Sequence, residues 1–138
     1  MYLLRCLVYE KCRWLNSLSH HYFINLSINA PFSFFSGLTN LVDLDLSYNL
    51  LSRIPTTAIV GCKYLMKLSL KGNVGIREVS GESFTGMQQL THLDLSECGI
   101  ENILRGAFSH LKELKFLMLE GNMLKTVAPQ RTLPPDLT

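Results

Sequence analysis

The apolar and polar positions of residues 41–54, Leu-Val-Asp-Leu-Asp-Leu-Ser-Tyr-Asn-Leu-Leu-Ser-Arg-Ile, follow neither regular period. Leucines at 41, 44 and 46 precede Asn49, and apolar residues return at 51 and 54. Strict alternation would mark a strand, and a repeat of about 3.6 would mark a helix. Leu44-x-Leu46 predicts a very short strand, and Asn49 marks the turn that leaves it. The pattern returns at Leu65, Leu68, Leu70 and Asn73, at Leu90, Leu93, Leu95 and Cys98, and at Leu114, Leu117, Leu119 and Asn122. The steps between these turn residues are 24, 25 and 24. A near-constant step of this size marks stacked units, each burying its apolar side against its neighbours.

The segments between the strands align as well. Ile54, Val79, Ile103 and Val127 each follow the turn, and Ile59, Phe84 and Phe108 come next. Cys62, Met87 and Leu111 close the series. The extra residue of the 25-residue step falls in Asn73-Val-Gly-Ile76, where Gly75 is expected to supply unusual backbone angles. Stacking would set the strands side by side as a parallel sheet, about 4.8 Å apart. Leu44, Leu46, Leu68, Leu70, Leu93, Leu95, Leu117 and Leu119 would then point inward. Ile59, Phe84 and Phe108, with Phe35 as a further candidate, would stack on the outer side.

Two regions are expected. Residues 1–21 lie outside the repeat, and residues 22–138 hold about five units. In the first region, Leu3, Leu4, Leu7, Val8 and Leu15 fall near one helical stripe, which predicts a short helix or a loose lead-in covering the first unit. Arg5 and Glu10-Lys11 interrupt any apolar core of a cleaved leader, so none is expected. The first unit aligns Ile24-Asn-Leu-Ser-Ile-Asn29 with Leu44–Asn49, but Asn29 to Asn49 is only 20 residues. Its outer return, residues 30–37, should be tight, and Pro31 bars a regular helix there. The last unit loses the pattern after Val127, and Leu133-Pro-Pro-Asp-Leu137 reads as the entry to a further repeat.

These leucines, with the asparagines at the turns and Phe84 and Phe108 outside, resemble leucine-rich repeats. The match is to the class with this 24-residue step, typical of extracellular and cell-surface proteins. Gly-Leu-Thr-Asn-Leu at 37–41 and Gly-Ala-Phe-Ser-His-Leu at 106–111 are of that type. The resemblance implies an α/β solenoid, curved, with short parallel strands on the concave face and an irregular, 3-10 or short-helical convex side. It also implies a recognition module, as in adhesion proteins, receptor ectodomains and matrix proteins. Asn29, Asn49, Asn73 and Asn122 would form a turn ladder, since an amide both donates and accepts toward buried backbone. Cys98 takes the same place in one unit, a substitution the family uses. Extracellular members carry a disulfide-bonded N-terminal cap with a dense cysteine cluster. Cys6-x5-Cys12 is sparser, so reduced thiols are favoured there and the disulfide stays open.

Charge and candidate chemistry add little beyond this. The net charge is +2, and residues 1–22 supply it with Arg5, Lys11 and Arg13 against Glu10. No basic stripe points to nucleic acid, and no apolar run is long enough to cross a bilayer. Cys62 and Cys98 align with core and turn positions and are expected to be buried free thiols. His20, His21, His92 and His110 are scattered, so no metal or other cofactor is expected. Ser47, Ser69 and Ser96, like Asp43, Asp45 and Asp94, recur because they are repeat positions, and no nucleophile and base converge. An enzyme is not expected.

The face that the strands turn outward is the candidate site. One column reads Phe23, Asp43, Lys67, His92 and Phe116, and the next Asn25, Asp45, Ser69, Asp94 and Met118. A third reads Ser27, Ser47, Lys71, Ser96 and Glu120, and a fourth Ile28, Tyr48, Gly72, Glu97 and Gly121. Mixed charge with Tyr48, Phe116 and Met118 fits a protein-binding surface. Asn25-Leu-Ser27 is a glycosylation sequon, but it falls on a predicted strand and no glycan is assigned to it. The expected partner is a protein, and direct membrane insertion is not expected. The parent protein is expected outside the cell or at its surface, with this chain a fragment or short isoform. An intracellular scaffold, or a truncated product without function of its own, stays open.

Overall fold

The computed structural model describes residues 21–23 and 39–127. The proposed cap helix, Cys6, Cys12, Asn25, Asn29, Pro31, Phe35 and the segment after Val127 lie outside the described residues.

Among the described residues, nine short elements are divided between two sides of a stack. They are β1 (His21–Phe23), β2 (Asp43–Asp45), α1 (Thr56–Ile59), β3 (Lys67–Ser69) and β4 (Glu78–Val79). Then come β5 (His92–Asp94), β6 (Asn102–Ile103), β7 (Phe116–Met118) and β8 (Thr126–Val127). One sheet is parallel, in the order β1-β2-β3-β5-β7. Leu44, Leu68, Leu93 and Leu117 are aligned partners across it. Each strand is only three residues long, because a single leucine flanked by two outward residues is all that each unit contributes. The backbone pairing continues past the strands. Leu46 donates to the Ser69 carbonyl at 2.8 Å, Leu70 to that of Asp94 at 2.9 Å, and Leu95 to that of Met118 at 2.9 Å.

The register of β1 differs from expectation. Phe23 pairs with Asp45, and Tyr22 with Leu44. The sequence had aligned Phe23 with Asp43 and Ile24 with Leu44, two residues away. Tyr22, Ile24 and Leu26 form one alternating apolar series, so a shift of two preserves the faces and the pattern cannot choose between registers.

The core lies between the two sides. Leu44, Leu46, Leu68, Leu70, Leu93 and Leu95 are buried, as are Leu41, Leu65, Leu90 and Leu114. Leu117 and Leu119 are only partly buried, because no further unit stacks on them among the described residues. On the outer side Ile59, Phe84 and Phe108 are buried in a row. The Phe84 and Phe108 rings stack at 5.9 Å and 20°. At this distance their pairing adds about 1 kcal/mol to the area they bury.

The outer side holds one feature the sequence did not suggest. Besides the four-residue helix α1 and a series of turns, β4, β6 and β8 form a second parallel sheet. It pairs Val79 with Ile103 and Ile103 with Val127. These β-branched residues suit strands, but two-residue strands show no period to read. Glu101 crosses this sheet, paired to Arg77 at 3.1 Å and to Lys125 at 2.6 Å.

Gly75 also serves differently from expectation. Its φ is not among the positive ones. A Cβ there would meet the Leu51 carbonyl oxygen at 2.8 Å. The inserted residue pushes the loop against the preceding turn, and glycine is needed for the close approach.

Candidate functional site

The strands place Asp43, Lys67, His92 and Phe116 in one row across the sheet face, and Asp45, Ser69, Asp94 and Met118 in the next. Ser47, Lys71, Ser96 and Glu120 continue where the strands end. Much of this face is tied into the scaffold. Asp45 accepts the Ser47 amide at 2.8 Å, and Asp94 accepts the Ser96 amide at 2.9 Å. These bonds begin the turns, a role short carboxylates suit. Ser47 and Ser69 share a hydroxyl bond of 2.6 Å.

The row Tyr48, Gly72, Glu97, Gly121 is a turn position with a backbone demand of its own. All four residues are left-handed, with φ of 54°, 74°, 57° and 67°. Glycine takes this conformation without strain, whereas tyrosine and glutamate are disfavoured there. The larger residues alternate with the glycines and lean over them. A Cβ on Gly72 would meet the Tyr48 ring, and one on Gly121 would lie 3.1 Å from Glu97 Cγ. Tyr48 and Glu97 therefore stand at the turn-side rim of the face rather than in a strand. Glu97 pairs with Lys71 at 3.2 Å. Hydrogen bonding to Glu97, then its charge, then the nearby Tyr48 raise the Lys71 pKa.

Beneath this rim runs the turn ladder. The Asn73 amide nitrogen donates to the carbonyls of Leu46 at 2.9 Å and Leu70 at 2.7 Å, and its oxygen accepts the Leu51 amide at 3.1 Å. Asn122 repeats this with Leu95, Leu119, Cys98 and Ile100. Asn49 donates to Leu46 at 2.7 Å. Cys98 has no oxygen to offer. Its thiol donates to the Leu70 carbonyl at 3.1 Å. The preceding loop compensates, because the Ile76 amide bonds to the Asn73 carbonyl at 3.0 Å within its own unit. The inserted residue and the cysteine thus belong together.

His92 and Phe116 stack face to face across β5 and β7, centroids 4.4 Å apart and planes at 24°. Phe116 and Met118 remain 45% and 40% exposed. Thr91 Oγ1 lies 3.0 Å from the Met66 carbonyl and 2.8 Å from His92 Nδ1, a hydrogen bond that helps to orient the ring.

Other exposed apolar residues were not singled out by the sequence. Leu50, Val74 and Met123 follow the ladder residues and are all exposed. The repeat step would have revealed this row, had the position after each ladder residue been aligned. Val42, Tyr64 and Met66, with Asn40 and Gln89, line a shallow depression of about 310 Å³ on the other flank. On the outer side Arg53, Arg77, Glu82 and His110 border an open groove of about 1000 Å³. Among the described residues, no trio of His, Cys, Asp or Glu could hold a metal ion, and no helix is long and apolar enough to cross a membrane.

A stack of parallel strand-and-turn units closed by an asparagine ladder defines a class of repeat solenoid. The leucine rich repeat profile matches residues 25–74 and 63–124, and the chain belongs to the leucine-rich repeat family. It is 40% identical over 89 residues to the leucine-rich repeat-containing G-protein coupled receptor 5 of Rattus norvegicus, covering 64% of this chain and 10% of that protein. It is 35% identical over 95 residues to Homo sapiens vasorin, covering 69% of this chain and 14% of that protein. The mouse RP105/MD-1 complex contains a similar fold, with a TM-score of 0.58 and 26% identity over 72% of this chain and 17% of that one. The chain thus spans a small part of the length of each of these proteins.

Proposed function

We propose that this chain is a non-catalytic module that recognises a protein partner through the sheet face. Asp43, Asp45, Lys67, His92, Asp94, Phe116 and Met118 form the surface, and Tyr48, Lys71, Glu97 and Glu120 its rim. The observation that carries this reading is the exposed pair Phe116 and Met118 on β7, beside His92. Scaffold leucines on the same strand point the other way, so nothing in the fold calls for apolar residues there. Aromatic and methionine side chains amid charged ones are typical of interface centres. A receptor among the relatives and a neighbour solved as a complex support a recognition role at or outside the cell surface.

The test is an array of secreted and cell-surface ectodomains screened with this chain. A partner is expected whose binding is lost on Phe116→Ala with Asp94→Ala and kept on Arg105→Ala, an outer-side change. Binders insensitive to the first pair, or sensitive only to the second change, would refute the sheet-face assignment.

A further inference from the structure

The charges of the described residues are sorted by side. Residues 39–127 hold nine Lys/Arg and nine Asp/Glu, so this part of the chain is neutral. The sheet face and its rim carry Asp43, Asp45, Asp94, Glu97 and Glu120 against Lys67 and Lys71, a formal −3. The outer side and flanks hold the balancing +3. Setting aside the Lys71–Glu97 pair leaves the face at −3. A neutral stack that gathers negative charge on its open face favours cationic partners there.

The β5–β7 corner shapes this preference further. Asp94 uses Oδ1 for the Ser96 amide, which leaves Oδ2 to accept from outside. The Phe116 ring is stacked on His92, one position along the face from the Asp94–Met118 pair, and is still 45% exposed. Carboxylate and aromatic surface together suit a planar cation. A guanidinium donates in its plane and stacks through its face, whereas an ammonium donates from a compact point charge and has no face to stack.

Resting on the recognition role above, we propose that the sheet face takes a cationic segment of a protein partner. One arginine sits at Asp94, His92 and Phe116, and a neighbouring apolar side chain covers Met118.

The probes are three blocked peptides, Ala-Leu-Xaa-Leu-Ala, with arginine, citrulline or glutamate at Xaa, titrated into the isotope-labelled chain and followed by amide NMR. The arginine peptide is expected to move the amides of His92, Asp94, Phe116 and Met118, and to bind more weakly as salt rises. Citrulline, or Asp94→Asn with the arginine peptide, is expected to weaken binding about two- to fivefold, as for one exposed ion pair. Asparagine keeps an oxygen for the Ser96 amide, so the turn survives that change. Equal binding of the glutamate peptide at these amides, or an unchanged affinity in Asp94→Asn, would overturn the cationic preference and leave the face a recognition surface. Shifts confined to outer residues such as Arg53 and Arg105 would overturn the recognition reading itself. No shift with the arginine peptide at millimolar concentration would overturn the cationic proposal alone.

Discussion

The ring of Tyr48 lies directly over Gly72, so that a Cβ on the glycine would sit 2.6 Å from Tyr48 Cε1. Both residues are left-handed, at the same turn of successive units. Gly72→Ala is therefore expected to cost about 1–2 kcal/mol from the backbone alone. Displacing the ring adds to this. Adding Tyr48→Ala should remove the steric part and leave the backbone part, so the double variant is less destabilised than the two single changes sum to. Urea unfolding of the four proteins measures this. Strict additivity would mean that the two side-chain positions do not meet.

The ladder makes a second, graded prediction. Asn73 is fully buried and satisfies three backbone groups in two units. Asn73→Ala strands the Leu51 amide and takes one donor from each of the Leu46 and Leu70 carbonyls, and is expected to cost about 3 kcal/mol. Cys98 makes weaker thiol bonds, and the insertion before it has found other partners. Cys98→Ala is expected to cost only about 1–2 kcal/mol, mostly from the small void. Equal losses at the two positions would show that the amide does not matter more than the volume.

This ladder was legible because its residues recur at a fixed step and because buried backbone at a turn needs a group that donates and accepts. The core leucines were legible for the same reason. The β1 register was not, since Tyr22, Ile24 and Leu26 satisfy either alignment. The second sheet was hidden because two residues such as Glu78–Val79 are too few to show a period. The left-handed turn was half visible. Gly72 and Gly121 signal it, but Tyr48 and Glu97 in the same row hide it, and they were assigned to the strand face. At the candidate site, the His92–Phe116 neighbourhood followed from the rows. The Thr91–His92 hydrogen bond did not, because it is a matter of three-dimensional placement.

Exposure at β7 makes the site separable from stability. Phe116 and Met118 contribute little to the core, unlike Leu117 between them. Phe116→Ser is expected to cost no more than about 1 kcal/mol, since the half-exposed ring loses only its stack on His92. Phe108→Ala, fully buried on the outer side, is expected to cost about 3–4 kcal/mol. Thermal melts of both variants check this. A large loss in Phe116→Ser would mean that the aromatic stack supports the fold, and the argument for its role in recognition would weaken.

The two described cysteines predict how stability responds to alkali. Burial raises the thiol pKa of Cys62 and of Cys98 from 9.0 to about 11. For Cys98, amides donated by Asn73 and Gly72 oppose this, and nearby carboxylates reinforce it. The folded state thus holds both protons more tightly than the unfolded state does. Their contribution is complete below pH 9.0, the unfolded value, and is lost as pH rises toward about 11. Cys62→Ala removes one of these groups, so its urea midpoint, lower at neutral pH for lost packing, should fall less steeply through this window than that of the unaltered chain. In a background with Cys6→Ser and Cys12→Ser, thiol-reactive dye should label neither Cys62 nor Cys98 in the native protein near neutral pH, and both on adding denaturant. Rapid native labelling, or parallel midpoints for the two proteins, would place these thiols in water rather than in the core.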